Sequence, residues 1–194
     1  MSDTEHDDIY GQLRMTGVNE HETIDSIHLL NQLENGSWTT IETFRLTGAE
    51  WSLFYVKKVE TTQELQAAYL VREKVFVEEQ GVPLHLELDE HDATAIHFIV
   101  YDNEKVIAAS RIREIDAGIG KIERVCVLKD YRGKKLGMLI MKEVEKHASE
   151  KGLKKLKLHA QSYSVPFYEK LNYIVTSPEF MDADIPHRVM EKDI

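Results

Sequence analysis

The pattern of apolar and polar positions predicts alternating strands and helices from residue 51 onward. Five segments are predicted to be strands: 51–59, 95–101, 105–114, about 120–128 and 155–160, the last of which alternates clearly between apolar and polar residues. Spacings of three and four, typical of amphipathic helices, follow Thr61 as far as Gly81 and recur over 135–151. A short helix over 164–170 and two closing strands, 173–177 and 187–192, complete the order β-α-β-β-β-α-β-α-β-β.

The lengths of the connections predict how these strands pair. Short turns at 102–104 and 118–120 join three consecutive strands, which are therefore expected to be antiparallel. The third of them, the long helix and the strand 155–160 form a β-α-β unit, whose two strands should be parallel with a right-handed crossover. The predicted fold class is α/β (α+β), with a mixed, mostly antiparallel sheet flanked by helices.

Residues 1–50 differ in composition from the rest of the chain. They contain ten acidic residues, two arginines and no lysine. Four apolar residues recur at helical spacing and predict a helix that ends near 35–36, before a strand over 38–46: Ile24, Ile27, Leu30 and Leu33. We expect an acidic N-terminal appendage, 1–50, that is partly ordered, and a main domain, 51–194.

The charge distribution limits the kinds of ligand. The formal net charge is −10, but 121–157 holds 12 Lys+Arg against 5 Asp+Glu, a balance of +7, so the remainder carries −17. Overall acidity disfavours nucleic acid and anionic membranes as partners, because both need a broad basic face. A basic segment confined to one part of an acidic protein favours a small polyanionic ligand.

The single cysteine and the N-terminal sequence bear on the compartment. Cys126 has no second cysteine with which to form an internal disulfide, which fits a reducing environment. The acidic start lacks the basic and apolar regions of a signal peptide, and no apolar run reaches 18 residues. We expect a cytoplasmic protein, and a homodimer remains an open alternative to a monomer.

The segment Tyr131–Gly137, YRGKKLG, lies between the apolar run 125–128 and the long helix. The first N–H groups of a helix have no intrahelical partner and favour an anion, and Gly133 and Gly137 let the backbone approach one closely. Three basic residues add positive charge around it: Arg132, Lys134 and Lys135. A nucleotide P-loop is disfavoured because the segment lacks the Gly-Lys-Ser or Gly-Lys-Thr ending, and a dinucleotide fold is disfavoured because only two of the three glycines are present.

This segment resembles the acyl-coenzyme A motif Arg/Gln-x-x-Gly-x-Gly/Ala of the GNAT superfamily of N-acyltransferases. Arg132 and Gly137 match its first and last positions, while Lys135 stands where the family usually has a glycine; we expect this residue to be helical, with no need of a positive φ. Four further segments resemble the narrower ElaA-like or YjcF-like branch, so that the resemblance covers 51–191: Val75–Pro83, Glu87–Asp92, His97 and Glu179–His187.

The resemblance implies a fold and a cosubstrate. Two central parallel strands should splay and open a slot for the pantetheine arm of acetyl-CoA, with no metal. The implied coenzyme-binding residues are Val125, Cys126, Val127, Arg132, Gly133, Lys134, Lys135, Leu136 and Gly137.

The resemblance and elementary acyl-transfer chemistry suggest the catalytic groups. Tyr168 falls where the family has a phenol near the coenzyme sulfur, and a phenol with a pKa of about 10 can protonate the leaving thiolate. Glu123 is the candidate base, and a chain of waters is the alternative. Cys126 is disfavoured as a nucleophile because no histidine lies near it in sequence, so direct attack in a ternary complex is expected.

The acceptor pocket is implied near four residues: Glu79, Gln80, Arg111 and Arg113. The acidic loop 87–92 either steers a cationic amine toward the thioester or is simply solvated, and Arg72 is expected to reach out from the edge of its helix. The sequence thus predicts an N-acetyltransferase for a small-molecule or peptide amine. A noncatalytic acyl-CoA sensor or interaction module with the same fold is the alternative.

Overall fold

The computed structural model describes residues 26–33, 35–45 and 54–194. The chain divides into two compact units, Met1–Trp51 and Ser52–Ile194. In the first unit, strands β1 (Ser26–Gln32) and β2 (Trp38–Arg45) pair in an antiparallel hairpin. None of the helices in the described ranges combines the length and the apolar character that a membrane span requires.

The hairpin shows that the helix predicted to end near 35–36 is wrong over its described part. Gly36 sits in the turn at φ 81°, and its N–H donates to the carbonyl of Leu33 at 2.8 Å. A glycine between two strands is a hairpin signal because it adopts the positive φ that many such turns require at one position without strain. Apolar residues in so short a segment fit either period, so the turn chemistry decides the structure.

The second unit is built on an eight-stranded sheet in the order β3-β4-β5-β6-β7-β10-β8, with β9 paired to β10. Its strands are β3 (Phe54–Lys58), β4 (Ile96–Asp102), β5 (Lys105–Asp116), β6 (Ile119–Val127), β7 (Lys155–Gln161), β8 (Ile174–Val175), β9 (Phe180–Asp182) and β10 (Ile185–Asp193). Its helices are α1 (Thr62–Arg72), continued by a π-helix (Glu73–Glu79), α2 (Leu84–Glu87), α3 (Leu136–Glu150) and α4 (Val165–Glu169). Only β6 and β7 pair in parallel within the described sheet, which confirms the predicted mixed fold class.

The two long helices cover opposite faces of this sheet. The buried residues of α3 recur four apart, at Leu136, Ile140, Val144 and Ala148, and pack in one core. On the other face, α1 packs in a smaller core that includes Ile99. Strand β4, which lies between β3 and β5, is therefore buried on both sides, which explains why its middle is a continuous apolar run.

The start of α1 follows from its local sequence. The Thr61 hydroxyl accepts from the Glu64 N–H at 3.2 Å, and the Glu64 carboxylate accepts from the Thr61 N–H at 3.1 Å, forming the predicted capping box. The last residue, Arg72, is wrongly predicted to reach outward, because it is fully buried. Its charge is balanced inside the protein by Glu87 and Asp92, which the chain brings back from the acidic loop.

Strands β6 and β7 diverge toward their carboxyl ends. Their parallel pairing runs from Ile119 with Lys155 to Ile122 with Leu158, although both strands continue beyond it. Arg124 has a φ of 58°, and the register between β5 and β6 shifts beside it, as in a β-bulge. A bulge bends its strand, so the second half of β6 turns away from β7 and a slot opens between them.

Candidate active site

A cavity of about 710 Å³ lies in the slot between β6 and β7 and reaches the N-terminus of α3. Its lining includes eight of the nine predicted coenzyme-binding residues: Val125, Cys126, Val127, Arg132, Gly133, Lys135, Leu136 and Gly137. The ninth, Lys134, does not line it, and its ammonium lies over the rings of Tyr131 and Phe54 at 5.0 and 5.8 Å from their centroids. The fold thus brings a strand edge and a helix N-terminus to one cavity.

The N-terminus of α3 offers unpaired backbone donors to this cavity. The Leu139 N–H donates to the carbonyl of Lys135 at 3.1 Å, and no side chain caps the helix. In a helix that begins at Leu136, the preceding N–H groups have no intrahelical acceptor. Gly137 faces the ring of Phe167, and a Cβ added there would lie 3.2 Å from its Cζ. The absence of a side chain at Gly137 therefore leaves open space at the N-terminus of α3.

Lys135 adopts a left-handed conformation, with φ 62° and ψ 16°, at the N-cap of α3. The expectation that this residue is helical is wrong, because the turn needs a positive φ before the helix starts. Glycine meets that need without strain, whereas a residue with a Cβ is destabilised by about 1–2 kcal/mol. Lysine here combines backbone strain with a positive charge beside the helix N-terminus.

Replacing Lys135 with glycine is expected to stabilise the protein. Relief of the left-handed strain, about 1–2 kcal/mol, outweighs the extra unfolded-state entropy of glycine, about 0.5–1 kcal/mol. Urea unfolding of Lys135→Gly should show the gain. Lys129→Gly, at an exposed position without positive φ, serves as the control, and its free energy of unfolding should fall by about 0.5–1 kcal/mol. Equal losses in both variants would contradict the strain at Lys135.

Arg132 is held at the cavity by backbone and side-chain contacts. Its Nε donates to the carbonyl of Val127 at 3.0 Å, and its Nη2 donates to Glu79 at 2.6 Å. The side chains of this pair are 46% and 30% exposed, so the ion pair contributes little to stability and can exchange for another anion. The guanidinium is thus available at the mouth of the cavity.

Tyr168 on α4 lines the cavity and is 8% exposed. The rings of Phe167 and Tyr173 contact it edge to face, with centroids 4.9 and 6.0 Å away. Burial raises the pKa of the Tyr168 phenol well above its usual value. The phenol therefore keeps its proton at neutral pH.

Cys126 also lines the cavity, but its thiol is a weak nucleophile. The residue is 5% exposed, and burial raises the pKa of its thiol to about 12. Because the thiolate is the reactive form, almost none is present at neutral pH.

Glu123 lies at the fork between β6 and β7 and is surrounded by cations. Its carboxylate contacts Arg111 at 3.0 Å, Arg113 at 2.9 Å and Lys121 at 2.9 Å. Burial alone would raise its pKa, but the hydrogen bonds from Arg113 and Lys121 overcome this and lower it to about 2. A carboxylate this acidic accepts protons poorly, which speaks against the predicted role of Glu123 as the base.

The acidic loop is neutralised inside the protein. Arg72 contacts Glu87 and Asp92 at 2.6 Å, and Arg111 contacts Asp89 and Asp92 at 2.7 Å. Both arginines are at most 1% exposed. The carboxylates of Glu87, Asp89 and Asp92 are thus neither free to attract cations nor simply solvated, because they are paired with arginines in a largely buried ionic network.

The predicted acceptor residues are only partly brought to the cavity. Gln80 lines it, whereas Glu79, Arg111 and Arg113 are not part of its lining. Arg111 is committed to the ionic network and Arg113 to Glu123. Within the described ranges, no group of three or more His, Cys, Asp or Glu residues is arranged to hold a metal ion.

Sequence reasoning missed one wall of the cavity, which combines β7, β9 and β10. Gln161 donates to Gln80 at 2.9 Å and accepts from the hydroxyl of Tyr163. Nearby, Phe180 packs between His159 and His187, with ring centroids 5.2 and 6.0 Å away. The alternation along β7 signals that His159 and Gln161 share a face, but not that this face lines a cavity.

Comparison with known proteins places this fold and site in a family. A family model described as an acetyltransferase (GNAT) domain matches residues 57–194. The chain belongs to the GNAT acetyltransferases. It is 47% identical over 132 residues to the uncharacterised N-acetyltransferase YjcF of Bacillus subtilis. The alignment covers 68% of this chain and 94% of YjcF.

A solved structure and a shorter match complete the comparison. The crystal structure of Escherichia coli ElaA superposes with a TM-score of 0.67 at 26% identity, covering 72% of this chain and 99% of ElaA. A protein of Geobacillus sp. strain WCH70 that is named as a candidate phosphoesterase is 56% identical over 50 residues, which are 26% of this chain and 29% of that protein. The first similarity confirms the resemblance to the ElaA-like and YjcF-like branch, and the second is too short to carry an activity.

Proposed function

We propose that this protein is an N-acetyltransferase that transfers an acetyl group from acetyl-CoA to the amine of a small molecule or peptide. The observation that carries the proposal is the slot between β6 and β7, which leads directly to the unpaired N–H groups of α3. Direct attack in a ternary complex follows from the buried, protonated thiol of Cys126, which is unsuited to carry the acetyl group.

The residues present fit coenzyme A. The backbone donors at 133–138, together with Arg132 and Lys135, suit a diphosphate. The part of β6 beyond Ile122 has no parallel partner, so its backbone groups suit the amides of a pantetheine arm. The absence of a side chain at Gly137 leaves the room that a close-lying phosphate requires. Bound acetyl-CoA supplies the thioester that the acceptor attacks.

Two groups of the chain serve the reaction in this proposal. The backbone N–H of Val125 or Cys126 polarises the thioester carbonyl, where negative charge develops. The Tyr168 hydroxyl gives its proton to the departing sulfur, and its raised pKa keeps that proton in place until it is needed. In this proposal residues 1–50, which precede the matched region 57–194, are an appendage that takes no part in acyl transfer, and the enzyme acts in the cytoplasm.

Thiol release from acetyl-CoA in the presence of a panel of amines tests this function. Amine-dependent release by the intact protein is the expected result. Tight binding of acetyl-CoA without release for any amine in the panel would instead favour the noncatalytic sensor.

Tyr168→Phe is expected to lower kcat about 100-fold, because general acid catalysis typically contributes two or more orders of magnitude. The dissociation constant for acetyl-CoA should change by less than about threefold, since the ring and its packing remain. Steady-state kinetics and calorimetry check the two values. Tyr55→Phe, on β3 outside the cavity, is the control, and an unaltered kcat in Tyr168→Phe would remove the phenol from this role.

A further inference from the structure

His159 occupies the point where β6 and β7 part. It directly follows Leu158, the last residue of β7 that pairs with β6, and lies across the fork from Glu123. Its neighbours Leu158 and Ala160 are buried in the core under α3. Side chains alternate across a strand, so the imidazole points to the opposite face and into the cavity.

The imidazole is oriented by packing and not by a charged partner. The ring of Phe180 stands edge to face against it, with centroids 5.2 Å apart and planes at 81°. Across β10, its register partner is the apolar Val189. Among the described residues, no hydrogen bond or ion pair is formed by this ring, whereas Glu123 contacts three cations. A ring nitrogen is therefore available to a molecule in the cavity.

We propose that His159 is the general base that takes the proton from the attacking amine. This inference rests on the proposed function and replaces the predicted role of Glu123. It follows from the juxtaposition at the fork: Glu123 and His159 both line the cavity there, but the carboxylate is saturated by cations, whereas the imidazole has no charged partner.

The electrostatic surroundings keep this imidazole neutral. Burial is the largest effect, and Lys121 on β6 also lowers the pKa of His159 below its usual value. Lys157 on the same strand and His187 on β10 act in the same direction, whereas Asp182 on β9 opposes them. The neutral imidazole is the form that accepts a proton, and a His whose pKa lies below its usual value is mostly in this form at neutral pH.

The protons balance as follows for an acceptor that arrives as an ammonium ion. His159 accepts one proton and releases it to solvent, which leaves a neutral amine. As the N–C bond forms and the C–S bond breaks, His159 accepts a second proton from nitrogen while Tyr168 gives its hydroxyl proton to sulfur. The imidazolium then loses its proton, and the phenolate regains one through solvent.

The shape of the pH profile of kcat/KM tests this role, using acetyl-CoA and an alkyl amine that the intact protein acetylates. The wild type should show a plateau between the pKa of His159, below 6.5, and that of the amine, near 10. In His159→Gln, kcat/KM should be about 100-fold lower than in the wild type at neutral pH. It should then rise about tenfold per pH unit, because only the free amine reacts. Hydroxylamine, a much weaker base, should be acetylated with a far smaller loss.

Two further variants separate this role from its rivals. Glu123→Gln should keep the plateau, because the carboxylate is not the proton acceptor. His85→Gln, at an exposed position outside the cavity, is the matched control and should equal the wild type. A plateau that persists in His159→Gln, or disappears in Glu123→Gln, would overturn the assignment, since a purely structural change lowers the profile without changing its shape.

The NMR signals of the His159 ring are identified as those that are absent in His159→Gln. Their pH titration tests the inference even if no amine is acetylated. The ring should titrate below 6.5, and its signals should shift when coenzyme A is added. A pKa at or above the usual value would overturn the base assignment alone. If no amine causes thiol release from acetyl-CoA while the ring titrates as expected, the proposed transferase activity is contradicted, whereas the neutral state of the imidazole is not.

Discussion

Gly137→Glu is expected to abolish binding of acetyl-CoA, raising its dissociation constant at least 100-fold, or about 2.8 kcal/mol. A Cβ at this position would lie 3.2 Å from Cζ of Phe167, so the new side chain meets the aromatic ring. Its carboxylate would also place negative charge at the helix N-terminus, where the diphosphate is held. Calorimetric titration of the variant with acetyl-CoA measures the effect.

Two companion variants separate sterics from charge at this position. Gly137→Ala adds only the Cβ and should weaken binding by a few fold, about 1 kcal/mol or less. Lys142→Gln makes the same change in net charge on the exposed face of α3 and should leave affinity within about twofold. Unaltered affinity in Gly137→Glu, with a cooperative thermal transition, would show that the coenzyme does not approach this turn.

Arg72→Met is expected to destabilise the second unit by about 3–5 kcal/mol, the typical result of removing one partner from a buried ion pair. The guanidinium lies 2.6 Å from both Glu87 and Asp92, and its Nη2 also donates to the Glu87 carbonyl at 2.7 Å. Methionine fills similar space but leaves two buried carboxylates with fewer donors. Arg111 and Arg124 still contact them, which favours the lower end of this range.

Urea unfolding of Arg72→Met gives this value, and two variants test its cause. Arg72→Met combined with Glu87→Gln should recover part of the loss, because one of the two stranded charges is gone. Lys146→Met removes an exposed ion pair with Glu143, whose side chains are 62% and 42% exposed, and should change stability by less than about 1 kcal/mol. A loss under 1 kcal/mol in Arg72→Met would contradict the importance of the network.

Local signals in the sequence predict much of the second unit. The capping box at Thr61, the apolar spacing of α3 and the β-α-β order depend on neighbouring residues, and the structure has all three. The order of strands then follows from connection lengths. The anion-binding segment Tyr131–Gly137 at the start of α3 is predictable for the same reason, since its glycines and basic residues are adjacent in the chain.

Features that depend on distant residues were not predictable in this way. Arg72 is buried because Glu87 and Asp92, 15 and 20 positions later, return to it. The position of His159 at the fork depends on the register of β7 against β6, which side-chain patterning does not determine. The prediction of a helical Lys135 fails for a different reason: the backbone of the turn imposes a positive φ whatever residue occupies it.

A crystal structure of the full chain with acetyl-CoA tests the central claim most directly. We expect the diphosphate against the backbone N–H groups at 133–138, the pantetheine along β6 beyond Ile122, and the sulfur next to the hydroxyl of Tyr168. A diphosphate bound elsewhere, or a slot between β6 and β7 that stays empty in excess acetyl-CoA, would contradict it.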